Sequence, residues 1–287
     1  MSKKFTSAAA FKASLEERLR AKATELSVPF QTLQLKFVIE RLLARLFVER
    51  DVPWLLKGGF AMDLRFRPKA RTTKDVDLSV RLSTGDVAHD LLDRLQAAAS
   101  VDLGDFLQYR IGEMKSELTQ APGGGGRFPC EALILGKSYA RFHLDVGIGD
   151  PRFGEPEELV GDQILEFAGL APARVLAIPK PQQFAEKIHA YTFPWQGRLN
   201  TRTKDLVDLV LLIERGIPEV PRIRQALEAT FTARGTHPLP TTLPSPPPFW
   251  AKDFPKMAEE AGLSTRDYIE AFSILERFWV NNALAEA

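Results

Sequence analysis

The stretch that decides the fold is LLKGGFAMDLRFRPKARTTKDVDLSV, residues 55–80. A short apolar run and a lysine lead into Gly58 and Gly59. Sixteen residues after the second glycine come Asp75, Val76 and Asp77, at the head of a second apolar run. Residues 75–81 suit a strand, and strand side chains alternate between faces. Asp75 and Asp77 therefore project from one face, while Val76 and Leu78 turn into the core. Two ionised carboxylates so close repel unless a cation sits between them. Magnesium (or manganese) favours oxygen ligands, keeps part of its water, and is often shared with nucleotide phosphates. Gly58 and Gly59 lie between a strand over 53–57 and one or two helical turns over 60–66. Lacking side chains, they let backbone N–H groups approach a phosphate at a helix N-terminus. Alone, either motif is commonplace, an acidic surface pair or a turn. Their order is what carries information.

A third acid stands further on. In ARFHLDVGIGD, residues 140–150, Phe142, Leu144 and Val146 share a face, leaving His143 and Asp145 on the other. If this strand neighbours the Asp75 strand, Asp145 joins the pair. Three acids around two metal ions, about 3.5–4 Å apart, suit in-line phosphoryl or nucleotidyl transfer.

Outward from this centre, periodicity predicts helices over 7–26, capped by Thr6 or Ser7, and over 31–49, with a wide apolar stripe. A helix follows over 84–99, opened by Ser83 or Thr84. Residues 106–118, 128–135 and 138–148 read as strands, with a tight turn at 135–138. Glycines 123–126 read as a floppy hairpin loop. Past Pro151 the pattern is helical, over 156–168, 180–193, 201–215 and 221–233. Residues 236–248 hold six prolines and read as an extended linker. A final helix follows Ser264, with Ser264 and Asp267 at capping-box spacing. The expected organisation is an α/β (α+β) lobe with a mixed sheet and N-terminal helices over 1–150, and a helical lobe over 151–287. A cleft between such lobes is a common ligand site.

Composition sets outer bounds. The chain has 287 residues, 45% apolar and 26% charged, with a net charge of +1. No apolar run approaches the ~18 residues of a membrane span. The N-terminus suits a soluble helix rather than a signal peptide. Cys130 is the only cysteine, which excludes an intrachain disulfide and a cysteine zinc site and fits a reducing cytoplasm. The four histidines show no metal-ligand spacing. Charge is unevenly spread: residues 57–81 hold seven Lys/Arg against three Asp, and residues 180–204 hold five against one Glu. That predicts a basic patch for an anionic partner. Lys187, at the edge of the stripe Phe184, Ile188 and Tyr191, would by itself be a snorkelling surface lysine. With Arg198, Arg202 and Lys204 nearby in sequence and a triphosphate expected opposite, a phosphate contact becomes the better reading. Asp205 and Asp208 share a helix face and could hold Lys187, a nucleotide or a metal.

The segments KGGFAMDLRF, RTTKDVDLSV, HLDVGI, AEKIHAYT and TKDLVDLVLL, spanning residues 57–212, together resemble the AbiEii/AbiGii-type toxin nucleotidyltransferases, which include the MenT toxins and share the DNA polymerase beta palm. The resemblance implies a bilobed fold and magnesium-dependent transfer of a nucleoside monophosphate from an NTP. In the MenT branch the acceptor is the 3′ end of tRNA, which blocks translation. It places the nucleotide-binding set on Lys57, Gly58, Gly59, Thr73 and Lys74, the metal acids on Asp75 and Asp77, and catalytic positions on Lys187 and Asp205 as well. Asp145 fits the third-acid position of the wider superfamily. Phe60 and Ala61 depart from the pattern, which more often has a small hydroxyl residue there. Thr73 matches a position where some members carry a Ser or Thr that the antitoxin system phosphorylates to switch the toxin off. A cognate antitoxin is the expected partner, with no membrane. Two rival readings are transfer to a protein or small molecule, and a non-catalytic nucleic-acid-binding module.

Overall fold

The computed structural model describes residues 5–49, 51–67, 73, 75–80, 88–118, 121–195, 197–216 and 220–284. Helices α1 (Ala8–Glu25) and α2 (Phe30–Leu46) come first. Ser7 caps α1 by accepting from the Ala10 N–H at 3.4 Å. Phe11, Leu15, Leu19 and Ala23 bury one α1 stripe. The second helix stops three residues short of the expected 49.

The sheet strands are β1 (Trp54–Lys57), β2 (Asp75–Val80), β3 (Leu107–Ile111), β4 (Ser116–Glu117), β5 (Gly125–Ile134), β6 (Lys137–Ile148), β7 (Glu157–Val160) and β8 (Arg174–Ala177). Helix α3 (Gly58–Phe66) follows β1 directly, and α4 (Ala88–Ala99) precedes β3. The strand order is β3-β5-β6-β2-β1-β8-β7, with β4 beside β5. The sheet is mixed: β2 runs parallel to β6 and β1 parallel to β8, and the other pairs are antiparallel. Val76 and Leu78, with Leu144, Val146 and Phe128, pack into one core with Phe37, Ile39 and Leu42 of α2. Alternation sends Asp75, Asp77, Asp145 and Arg127 to the opposite face.

Three local expectations fail. Residues 156–168 are not a helix: β7 extends the sheet by pairing with β8, and only a 3-10 turn forms at Glu166–Ala168. The sheet and its core therefore run on through Ala177. Glycines 123–126 are not a floppy loop, because Gly125 and Gly126 pair with Gly147 and Val146. At Gly125, with φ +141°, a Cβ would lie 2.1 Å from the Val146 carbonyl oxygen, so the close approach requires glycine. The last helix is capped by Asp267 alone, which accepts from the N–H groups of Ile269 and Glu270. The expected helix start at Ser83 or Thr84 lies outside the described residues.

The helical part comprises α5 (Lys180–Tyr191), α6 (Thr203–Glu214), α7 (Val220–Arg234), α8 (Phe254–Ala261) and α9 (Tyr268–Asn281). It has its own core, built on Phe184, Ile188, Leu209, Leu227, Trp250 and Trp279. The proline-rich segment lies against this core as a strap. Leu243 is buried, and the Pro244 and Thr241 carbonyls accept from Tyr191 and Trp279. Among the described residues no helix is long and apolar enough to cross a membrane.

Candidate active site

The glycine pair opens α3 at the end of β1. Gly58 has φ +66°, and its carbonyl accepts from Gln183 Nε2 of α5 at 3.3 Å. No side chain caps this helix, and its first turn holds no acid. The first-turn N–H groups, facing a cleft that Gly58 and Gly59 line, therefore suit an anion. Phe60 and Ala61 are fully buried in the core, so any phosphate contact here falls to the backbone.

Strand register brings the acids together as the alternation requires. Lys57 stands opposite Asp77 across β1 and β2, and Asp77 stands opposite Asp145 across β2 and β6. His143, half-buried, is the register partner of Asp75. Burial holds the Asp77 carboxyl above its usual range, and Asp145 adds to the effect, while Lys57 and Lys187 oppose it. The next strand supplies a residue that the sequence reading missed. Arg127 of β5 pairs with Asp145 through two hydrogen bonds, Nε to Oδ1 at 2.7 Å and Nη2 to Oδ2 at 2.6 Å. The Asp145 hydrogen bond, reinforced at longer range by Asp75 and Asp77, keeps the guanidinium firmly protonated.

The helical lobe closes the other wall. Lys187 Nζ lies 2.8 Å from Asp205 Oδ1 and 2.8 Å from Asp208 Oδ2, all three buried. Arg202 approaches the second Asp205 oxygen at 3.6 Å. Lys57 also lines the cleft and is paired with acids there. It donates to Asp150 and faces Glu186 at 3.6 Å, and Arg234 reaches the same two acids at 3.1 and 3.6 Å. Burial works against the Lys57 ammonium, but Glu186 and Asp150 outweigh it and hold its pKa above the ordinary value. This four-residue network joins β1 and the end of β6 to α5 and α7. Asp150, Glu186 and Arg234, like Arg127, were not singled out in the sequence.

All these walls enclose one cleft of about 330 Å³. Its lining includes Gly58, Gly59, Thr73, Asp75, Asp77, Asp145, Lys187 and Asp205. Thr73 is 8% exposed, and its hydroxyl donates to the Asp75 carbonyl at 3.3 Å. Lys74 lies outside the described residues. The predicted basic patch is only partly a surface: Arg65 and Arg67 turn inward to Glu157 and Glu40, and Lys57 and Lys187 are buried among acids. Arg202 and Lys204 do line the cleft. A larger groove, about 1250 Å³, runs along the β3 edge past Phe5, Phe106 and Leu135 and holds none of these residues.

The donor chemistry fits a small hard cation. Asp75 and Asp77 offer only oxygens, and the Asp77 carboxylate fills the space that a Cβ on Gly58 would take. Among the described residues no three His, Cys, Asp or Glu side chains are grouped to hold a metal. Asp75 and Asp77 are the residues of this face that would hold such an ion, and Asp145 beside them is paired with Arg127.

A mixed sheet with two N-terminal helices, an acid pair facing a glycine pair and a helical lobe across a cleft is a nucleotidyltransferase fold. The family model for nucleotidyl transferase AbiEii toxins of type IV toxin–antitoxin systems matches residues 41–278, and the chain belongs to that family. Among solved structures it is similar to MenT4, a nucleotidyltransferase toxin of Mycobacterium tuberculosis. That match has a TM-score of 0.54 and 15% identity, covering 98% of this chain and 99% of that one. A structure from H. pylori, described as that of a nucleotidyltransferase by assignment only, matches with a TM-score of 0.45 and 15% identity over 90% and 95% of the two chains. No curated protein matches the sequence.

Proposed function

We propose that the chain transfers a nucleoside monophosphate from an NTP to an RNA acceptor, the 3′ end of tRNA, and so blocks translation until a cognate antitoxin intervenes. The observation that carries this reading is convergence. Gly58, Asp75, Asp77, Asp145, Lys187 and Asp205 come from five elements and line one cleft.

In this reading the α3 N-terminus and the glycine backbone hold the triphosphate. Asp205 and Asp208 fix Lys187 across the cleft, where its ammonium meets charge developing on the departing pyrophosphate. Asp75 and Asp77 hold a divalent ion, which when bound neutralises phosphate charge and acidifies the acceptor hydroxyl. That hydroxyl oxygen forms a bond to the α-phosphorus, the bond to the bridging oxygen breaks, and pyrophosphate leaves. The hydroxyl proton passes to solvent, and both Asp145 oxygens accept from Arg127. Lys57, which lines the cleft, orders its wall through Asp150 and Glu186. Arg202 and Lys204 suit an anionic acceptor at the cleft, which favours RNA over a cationic small molecule. Thr73, beside the Asp pair, is where phosphorylation would place a charge against the acids.

The test is incubation of the purified chain with labelled NTPs, magnesium and total tRNA, followed by separation of RNA, protein and solvent-extractable fractions. Label in RNA supports the reading. Label in either other fraction moves the acceptor.

A further inference from the structure

Three residues stand side by side on successive strands of one sheet face: Asp77 on β2, Asp145 on β6 and Arg127 on β5. The outer two differ in sign. Arg127 commits its fork to both oxygens of Asp145, with Nε and Nη2 each within 2.7 Å. A bidentate guanidinium–carboxylate pair is among the stronger hydrogen-bonded contacts and is fixed in direction. Its backbone is fixed too, because Gly125 lets β5 lie tightly against Val146 of β6 and the ladder continues through Gly126 and Arg127. Arg127 nonetheless lines the cleft with 38% of its side chain exposed, so it is part of the site and not merely of the sheet.

We infer that Arg127 is a built-in cation standing where a three-acid site would seat a second metal ion, so that the free protein takes a single divalent ion, on Asp75 and Asp77. Charge balance agrees. Three carboxylates and one guanidinium leave two negative charges, which one divalent ion cancels and a second would overshoot. Of the other cations that line the cleft, Lys57 and Arg234 pair with Asp150 and Glu186, Lys187 pairs with Asp205 and Asp208, and Arg202 approaches Asp205, while Lys204, whose charge acts on Asp77, adds to the case against a second cation. A second cation beside the guanidinium would face like-charge repulsion that Asp145 can no longer offset.

The inference rests on the transferase reading only for what the ion serves. Its test is therefore a binding count on the full chain: Mn²⁺ titration followed by electron paramagnetic resonance, without nucleotide. Wild type should bind one Mn²⁺ per chain. Arg127→Gln removes a positive charge beside the acids and should bind the first ion roughly tenfold more tightly. Arg127→Lys, which keeps the charge, should retain wild-type affinity and count, and it serves if the glutamine variant does not fold. Two ions per wild-type chain would overturn the inference, as would unchanged or weaker binding in a folded Arg127→Gln, or a tightened Arg127→Lys. A chain that binds one ion and labels no acceptor would fault the transferase reading and leave this inference standing.

Discussion

A Cβ built on Gly58 would sit 1.9 Å from Oδ2 of Asp77 and 2.8 Å from its Cβ. The glycine at the end of one strand and the acid on the next thus occupy one another's space, a contact that no other residue type permits. Gly58 also has φ +66°, where an L side chain adds strain. Gly58→Ala should cost about 1–2 kcal/mol in urea unfolding from the backbone alone. It should also push the Asp77 arm out of the cleft, so Mn²⁺ affinity and transfer should fall far more than stability. Equal Mn²⁺ affinity in the alanine variant would show that Asp77 does not hold the ion in this position.

Lys187 lies buried between Asp205 and Asp208. Lys187→Met would leave two carboxylates without their central partner, and breaking a buried pair costs roughly 3–5 kcal/mol. Converting both aspartates to Asn in the same background should recover most of that loss. Transfer should stay absent in both proteins. Activity in the recovered triple variant would reduce Lys187 to a structural role.

The acid centre was legible in the sequence because alternation is a strict rule within one strand. It placed Asp75 and Asp77 together, and Asp145 on the matching face of its own strand. Arg127 was hidden by a bulge. Counting back from the turn, where Ile134 pairs with Lys137, would set Arg127 against Leu144. A register shift near Ala132 and Leu133 sets it against Asp145 instead, and a slip of one residue reverses every facing. Residues 156–168 misled for another reason. Apolar positions there, such as Val160, Ile164 and Phe167, fit helical spacing, yet β8 offers an open edge that a short strand can pair with. The Lys57–Asp150–Glu186–Arg234 network was equally out of reach, since its members are brought together only by the packing of α5 and α7 against the sheet.

His189 of α5 carries a prediction about pH. Its ring Nε2 lies 2.8 Å from Thr236 Oγ1 and its face packs on Phe231 and His237. Burial first, then Arg234 and His237, pushes its pKa from an ordinary 6.5 down to about 3. The unfolded chain takes up this proton near 6.5 while the folded chain refuses it. The contribution is therefore whole above pH 6.5 and is lost as pH falls toward 3, at most about 1.4 kcal/mol per pH unit. Thermal midpoints measured between pH 6.5 and 5 should fall in wild type and fall less in His189→Gln. Parallel slopes would place the titrating group elsewhere.

The most direct measurement compares wild type with Asp77→Asn, both purified without antitoxin, in the presence of α-labelled NTPs, magnesium and tRNA. Loss of a charged ligand should remove about a thousandfold or more of the rate, equivalent to several kcal/mol of barrier. Wild type should put label on RNA, chelation of magnesium should stop it, and the folded Asn variant should leave RNA unlabelled. Equal labelling by the two proteins would contradict catalysis through a divalent ion held by Asp75 and Asp77 opposite the Gly58 backbone, and no label on any acceptor from folded wild type would contradict the transferase reading.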